Sequence, residues 1–198
     1  MPAGLNLLRI IVFFLSSMPL FYLGWLIGQQ QLGPDPAEFL LEFFAQWALT
    51  FLALTLCISP LRQISGYSGF MRLRRMLGLW CFFYATLHVL VYGHFYLGWD
   101  WQGIVSEIIK RPYILVGACA WLILITLALT SPLRVRRWLG RRWVRLHRSI
   151  YLAALLVLLH FGWQLKGGYY ELVLYVSVFL GLMLFRLFAL RRPRSAPV

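Results

Sequence analysis

The stretch MLGLWCFFYATLHVLVYGHFYL, residues 76–97, decides the fold. It holds no Lys, Arg, Asp or Glu, and Arg74 and Arg75 stand just before it. A helix rises about 1.5 Å per residue, so a run of this length crosses roughly 30 Å of hydrocarbon. Backbone polar groups in lipid must be bonded within their own segment, which makes the run a helix. The strands of a barrel would alternate in hydrophobicity at every second residue, and this run does not.

Five further stretches approach the same length and character: 10–28, 39–58, 113–130, 150–165 and 169–190. The stretch 150–165 is short for a span unless its helix starts near His147. The breaks have chemical reasons. Gly33, Pro34 and Pro36 mark the first loop, and Pro60 and Pro132 each follow a serine at an expected helix exit. Pro112 suits a first helical turn, where its missing N–H costs nothing. Gly167 and Gly168 make a tight last turn. The run 10–28 exceeds the usual signal-peptide core and no small-x-small site follows it, so it reads as an uncleaved first span. The expectation is an all-α integral membrane protein: a six-transmembrane-helix bundle in one domain over 1–190, with a basic tail at 191–198. No repeat, low-complexity segment or attached soluble domain is evident.

Composition agrees. Apolar residues make up 61% of the 198, against about 45–50% in soluble domains. Charged residues make up only 13%. The net charge of +13 is not a nucleic-acid footprint, because the basic residues flank apolar runs instead of covering a folded polar face. Sixteen of the nineteen fall on one side: Arg9, the loop 61–75, the loop 131–149 and the C-terminal end from Arg186 onward. Lys110, Arg111, Lys166 and all six acids fall on the other. The positive-inside rule makes the basic side cytoplasmic and places both termini there. The setting is then a bacterial inner membrane. The acidic periplasmic loops, especially 98–110, are the expected docking surface for a partner.

Four histidines carry the chemistry. An ionisable residue inside a span is a functional candidate. His88 lies roughly 18 Å beyond Met76 along the third span. His160 lies roughly 20 Å beyond His147 along the fifth. The two spans run in the same direction, so His88 and His160 reach one level in the periplasmic half. Two imidazoles at one level can take both axial positions of a haem iron; the other reading is a neutral histidine bonded to a facing helix. Such an iron has no open site, which favours electron transfer over oxygen chemistry. His147 stands at the cytoplasmic start of the fifth span. It is read either as a solvated interfacial histidine, or as a ligand of a second haem or a contact to a quinone or flavin. It sits roughly 140° around the helix from His160, so the two need not share a face. His94 reads as a bland interfacial residue.

Most of the arginines read as a topology signal with attraction to anionic membrane lipid. Arg74, Arg75 and Arg148 are the better cofactor candidates, being nearest the histidine-bearing helices, and the arginine fork suits phosphate or propionate. Trp99, Trp101, Trp138, Trp143 and Trp163 fit an interfacial aromatic belt. Cys57, Cys81 and Cys119 lie in apolar runs without metal spacing and read as packing residues. No dinucleotide fingerprint, P-loop, nucleophile elbow or HExxH occurs. Any donor and acceptor of electrons therefore belong to other molecules.

Leu32–Pro36 (LGPDP), Leu73–His88 (LRRMLGLWCFFYATLH), Arg111–Tyr113 (RPY), Leu139–Leu152 (LGRRWVRLHRSIYL) and Leu159–Trp163 (LHFGW) together resemble the MsrQ family, formerly YedZ. The resemblance covers nearly the whole chain. It implies a ferric-reductase-like transmembrane domain and a haem b subunit, with one or two haems and His88, His147 and His160 as the characteristic histidines. It also implies FMN, without residues to hold it. Electrons would come from the quinone pool and pass to a periplasmic molybdopterin-containing partner, MsrP-like, which reduces methionine sulfoxide in oxidised proteins. Two other classes compete with this reading. A small transporter or metal permease would use the histidines as transient ligands, but a paired repeat is missing and the middle of every span is free of acids. A stand-alone ferric-chelate metalloreductase would need a flavin and nicotinamide domain.

Overall fold

The computed structural model describes residues 3–67, 69–164 and 169–191. Within them the backbone is helical: α1 (Ala3–Gly28), α2 (Pro36–Ser65), α3 (Phe70–Val91), α4 (Trp101–Lys110), α5 (Pro112–Leu129), α6 (Leu133–Leu139), α7 (Arg141–His147), α8 (Ile150–Gln164) and α9 (Tyr169–Arg191). Five stretches are long and apolar enough to cross a membrane: Asn6–Gly28, Pro36–Ser65, Phe70–Tyr96, Pro112–Leu129 and Arg141–Gln164. The protein is a multi-pass helical membrane protein. The expected short fifth span begins before His147 after all, because α7 runs on into α8. The turn at Gly167 and Gly168 and the tail beyond Arg191 lie outside the described residues.

Local chemistry accounts for the boundaries. Asp35 caps α2 by accepting from the Ala37 and Glu38 amides, both at 3.0 Å, with Pro36 in the first turn. Pro112 likewise stands in the first turn of α5, there without a capping side chain. Gly66, at φ 70°, closes α2 by donating to the Arg62 carbonyl at 2.9 Å.

Pro60 is not a helix exit. It is buried inside α2, which runs on to Ser65. A proline removes one backbone donor and need not end a helix where another group replaces it. Here Arg186 of α9 donates to the freed Leu56 carbonyl at 3.0 Å. Arg186 is thus a partly buried side chain within α9 and not simply part of a basic flank.

The expected acidic loop 98–110 is also different. Asp100 accepts from the Gln102 and Gly103 amides and starts the helix α4. Between α3 and α4 the backbone widens into one π-helical turn, Tyr92–Tyr96. The Trp99 ring lies against Gly93, where a Cβ would stand 2.9 Å from it. The basic loop 131–149 holds the two short helices α6 and α7.

The long helices close a ring: α2 packs on α3, α3 on α5, α5 on α8, α8 on α9, and α9 back on α2, with α1 outside against α3. The core lies between α2 and α3, where Leu52, Leu56, Cys81 and Tyr84 are fully buried. The Tyr84 hydroxyl donates to the Ser16 carbonyl of α1 at 2.9 Å. Buried Ala120 on α5 and Ala153 and Ala154 on α8 are small enough to let those helices approach closely.

Candidate functional site

At the end of the ring opposite the arginine-rich segments, α3 and α8 bring two histidines together. The His88 and His160 ring centroids are 6.3 Å apart and the rings stand at 85° to one another. Both side chains are partly buried. His88 Nδ1 lies 3.0 Å from the Leu41 carbonyl at the start of α2, and His160 Nδ1 lies 2.7 Å from the Tyr113 carbonyl at the start of α5. A carbonyl only accepts, so each Nδ1 carries the proton and each Nε2 keeps a free lone pair. This is the arrangement by which backbone groups orient metal-binding histidines.

The donor set says what kind of metal group it suits. Among the described residues no three His, Cys, Asp or Glu side chains gather as metal ligands. A bare zinc-like ion takes three or four protein ligands, and this site offers two. An iron already held in its plane by a porphyrin needs only the two axial positions. Two opposed bonds of about 2 Å to one metal put the imidazole centroids roughly 6 Å apart, in agreement with the observed separation. The residues therefore fit a haem held between α3 and α8.

Gly117 of α5 belongs to the site although the sequence reading passed over it. A Cβ there would lie 2.8 Å from both Cε1 and Nδ1 of His160. Its only sequence signal was a glycine inside an apolar helix, a mark of close approach. The Leu41 and Tyr113 carbonyls had no signal, because any residue supplies a backbone acceptor.

The other candidates are elsewhere. His147, at the end of α7, is about 20 Å along the chain axis from His160. It stacks on Trp143 at 3.9 Å, and its Nδ1 lies 3.2 Å from the Trp143 carbonyl. Arg74 donates to Ser59 Oγ at 3.3 Å and Arg75 to Ser131 Oγ at 2.8 Å, while Arg148 is exposed. Arg74 sits roughly 21 Å down α3 from His88, so these arginines share the level of His147 and do not reach the histidine pair. An open hollow of ≈ 380 Å³ at this basic end is lined by Leu133, Arg136, Arg137, Gly140, Trp143 and Val144. Arg136 lies over the Trp143 ring at 4.6 Å. His94 is exposed in the π-helical turn, with its ring against Phe95. Cys81 is buried, Cys57 partly buried and Cys119 exposed, and all are free thiols.

Fold and site together define a class: a membrane-embedded helical bundle with a two-histidine centre between its helices. Residues 44–158 match the family model described as "Ferric reductase like transmembrane component". Among curated proteins, the chain is 44% identical over 183 residues to the protein-methionine-sulfoxide reductase heme-binding subunit MsrQ of Xanthomonas oryzae pv. oryzae (strain MAFF 311018), covering 89% of this chain and 84% of that one. The MsrQ of Xanthomonas euvesicatoria pv. vesicatoria (strain 85-10) matches with the same identity and coverage. The chain belongs to the MsrQ family, within the ferric-reductase-like transmembrane group.

Proposed function

We propose that this protein is the haem b membrane subunit of a methionine sulfoxide reductase system, and that His88 and His160 are the residues that would hold its haem iron. The observation that carries the reading is the 6.3 Å histidine pair with each Nδ1 tied to a backbone carbonyl. The names of the relatives, heme-binding subunits of a protein-methionine-sulfoxide reductase, point the same way. Haem, when bound, supplies one-electron iron chemistry. The chain's part is to fix both imidazoles with an unprotonated Nε2 whose lone pair is free to bind iron, to leave room beside His160 at Gly117, and to keep the centre in apolar surroundings.

In this reading α9 is the sixth span, the bundle is a single domain over 1–190, and both termini face the cytoplasm of a bacterial inner membrane. Closure of the ring by α9 between α8 and α2 supports the sixth span. Charge supports the orientation, since Lys and Arg gather at one end. Electrons enter at that basic end from quinol or a flavin donor such as FMN. His147, Arg74, Arg75 and Arg148 share that level, and Trp143 joins His147 to the ≈ 380 Å³ hollow. His147 is the residue to hold a second haem or to contact the donor. Electrons leave at the opposite end, where α4 and the neighbouring acids face a periplasmic molybdopterin-containing partner. Sulfoxide reduction takes place on that partner.

The test is spectroscopic. The detergent-purified protein is expected to show b-type bands that sharpen with dithionite. His88→Ala and His160→Ala should each abolish or strongly weaken them without loss of folded protein. Well-folded wild type without haem bands would overturn the assignment.

A further inference from the structure

Pro60 removes one amide donor from α2 without ending the helix, and the arginine that answers it has hydrogens to spare. Arg186 donates one Nη2–H to the Leu56 carbonyl, and its guanidinium lies over the Tyr151 ring at 4.7 Å. Its Nε is buried and has no partner among the described residues. Three residues along α2, Arg74 donates to Ser59 Oγ. Positions three apart are neighbours on a helix face, so the two guanidinium forks meet on one side of α2, where their like charges repel. Among the described residues no carboxylate answers either charge: the ion pair found there joins Glu107 to Arg111 at the opposite end. Two partly buried cations without an anion are costly, and paired arginine forks match the oxygens of a phosphate.

We propose that Arg74 and Arg186 form a phosphate-binding site that takes the phosphodiester of an anionic phospholipid. The surroundings favour a lipid over a soluble phosphate. Both arginines stand between long apolar helices at the basic end of a multi-pass membrane bundle, the level of anionic headgroups, which basic pockets between spans take up. This inference does not depend on the haem assignment, since the site lies roughly 20 Å from the histidine pair.

The experiment uses the haem-loaded protein in detergent, with phosphatidylglycerol, phosphatidylcholine or inorganic phosphate added and adducts counted by native mass spectrometry. Wild type should retain one phosphatidylglycerol under conditions that strip phosphatidylcholine. Arg74→Gln leaves the Arg186–Leu56 bond in place and should weaken that retention about tenfold, the loss of one charged hydrogen bond. Arg134→Gln, exposed on α6, should leave it unchanged. Equal retention in wild type and Arg74→Gln would overturn the site. Saturation by inorganic phosphate with no preference for phosphatidylglycerol would overturn the lipid as its source. Visible spectra of the same samples report the histidine centre separately, so failure of one proposal is distinguishable from failure of the other.

Discussion

At the level of single residues, the histidine centre depends on one hydrogen atom. Gly117 sits where a methyl group would meet the His160 ring at 2.8 Å, and that ring is held by its bond to the Tyr113 carbonyl. Gly117→Ala should therefore push the imidazole off its acceptor without altering either ligand. Disturbing the group that orients a metal-binding histidine typically costs about tenfold or more in affinity. Haem content per protein, read from the b-type bands, is expected to fall by about that factor. Unchanged content would show that the ring relaxes freely. His94→Ala should change nothing in the same assay, since His94 is exposed and its ring meets only Phe95 among aromatic neighbours. His88 and His160 were legible as a pair from depth alone, because rise per residue converts position into level. Their acceptors were not, because a backbone carbonyl leaves no trace in a sequence.

Helices were legible where apolar length decided them and misread where a distant partner did. Pro60 after a serine looks like an exit, yet Arg186, 130 residues from Leu56 along the chain, keeps α2 intact by donating to the Leu56 carbonyl. The expected energetics are specific. Arg186→Leu strips that carbonyl of its donor in apolar surroundings, at a cost of about 1–3 kcal/mol. Pro60→Ala restores the α2 amide as an internal donor to the same carbonyl. In that background Arg186→Leu should cost less, by about 1 kcal/mol, and a double-mutant cycle on unfolding free energy in detergent reads the coupling. A coupling of zero would mean that Arg186 does not stand in for the missing amide. The segment 98–110 was misread for a different reason. Its charges and glycines looked like a loop, while the informative residue was Asp100, whose side chain caps two amides and starts α4.

The molecule as a whole has a direction, and the direction determines what its ends do. The ring of α2, α3, α5, α8 and α9 puts the histidine pair near one end and the arginines near the other. If the basic end faces the cytoplasm, electrons taken up beside His147 leave toward the periplasm; if it faces outward, donor and acceptor exchange places. A membrane-impermeant maleimide applied to intact cells distinguishes the two. Gln102→Cys on α4 and Arg134→Cys on α6 place thiols on exposed positions at opposite ends. The native thiols interfere little: Cys81 is buried in the core, Cys57 is partly buried in α2, and Cys119 lies within the span Pro112–Leu129, where a polar reagent does not reach. Gln102→Cys should label in intact cells and Arg134→Cys only after permeabilisation. Both substitutions are on the surface, so haem content should stay at the wild-type level and certify the fold. The reverse labelling pattern would refute the positive-inside orientation. It would also place the histidine pair next to the cytoplasm, too far from a periplasmic partner to serve it.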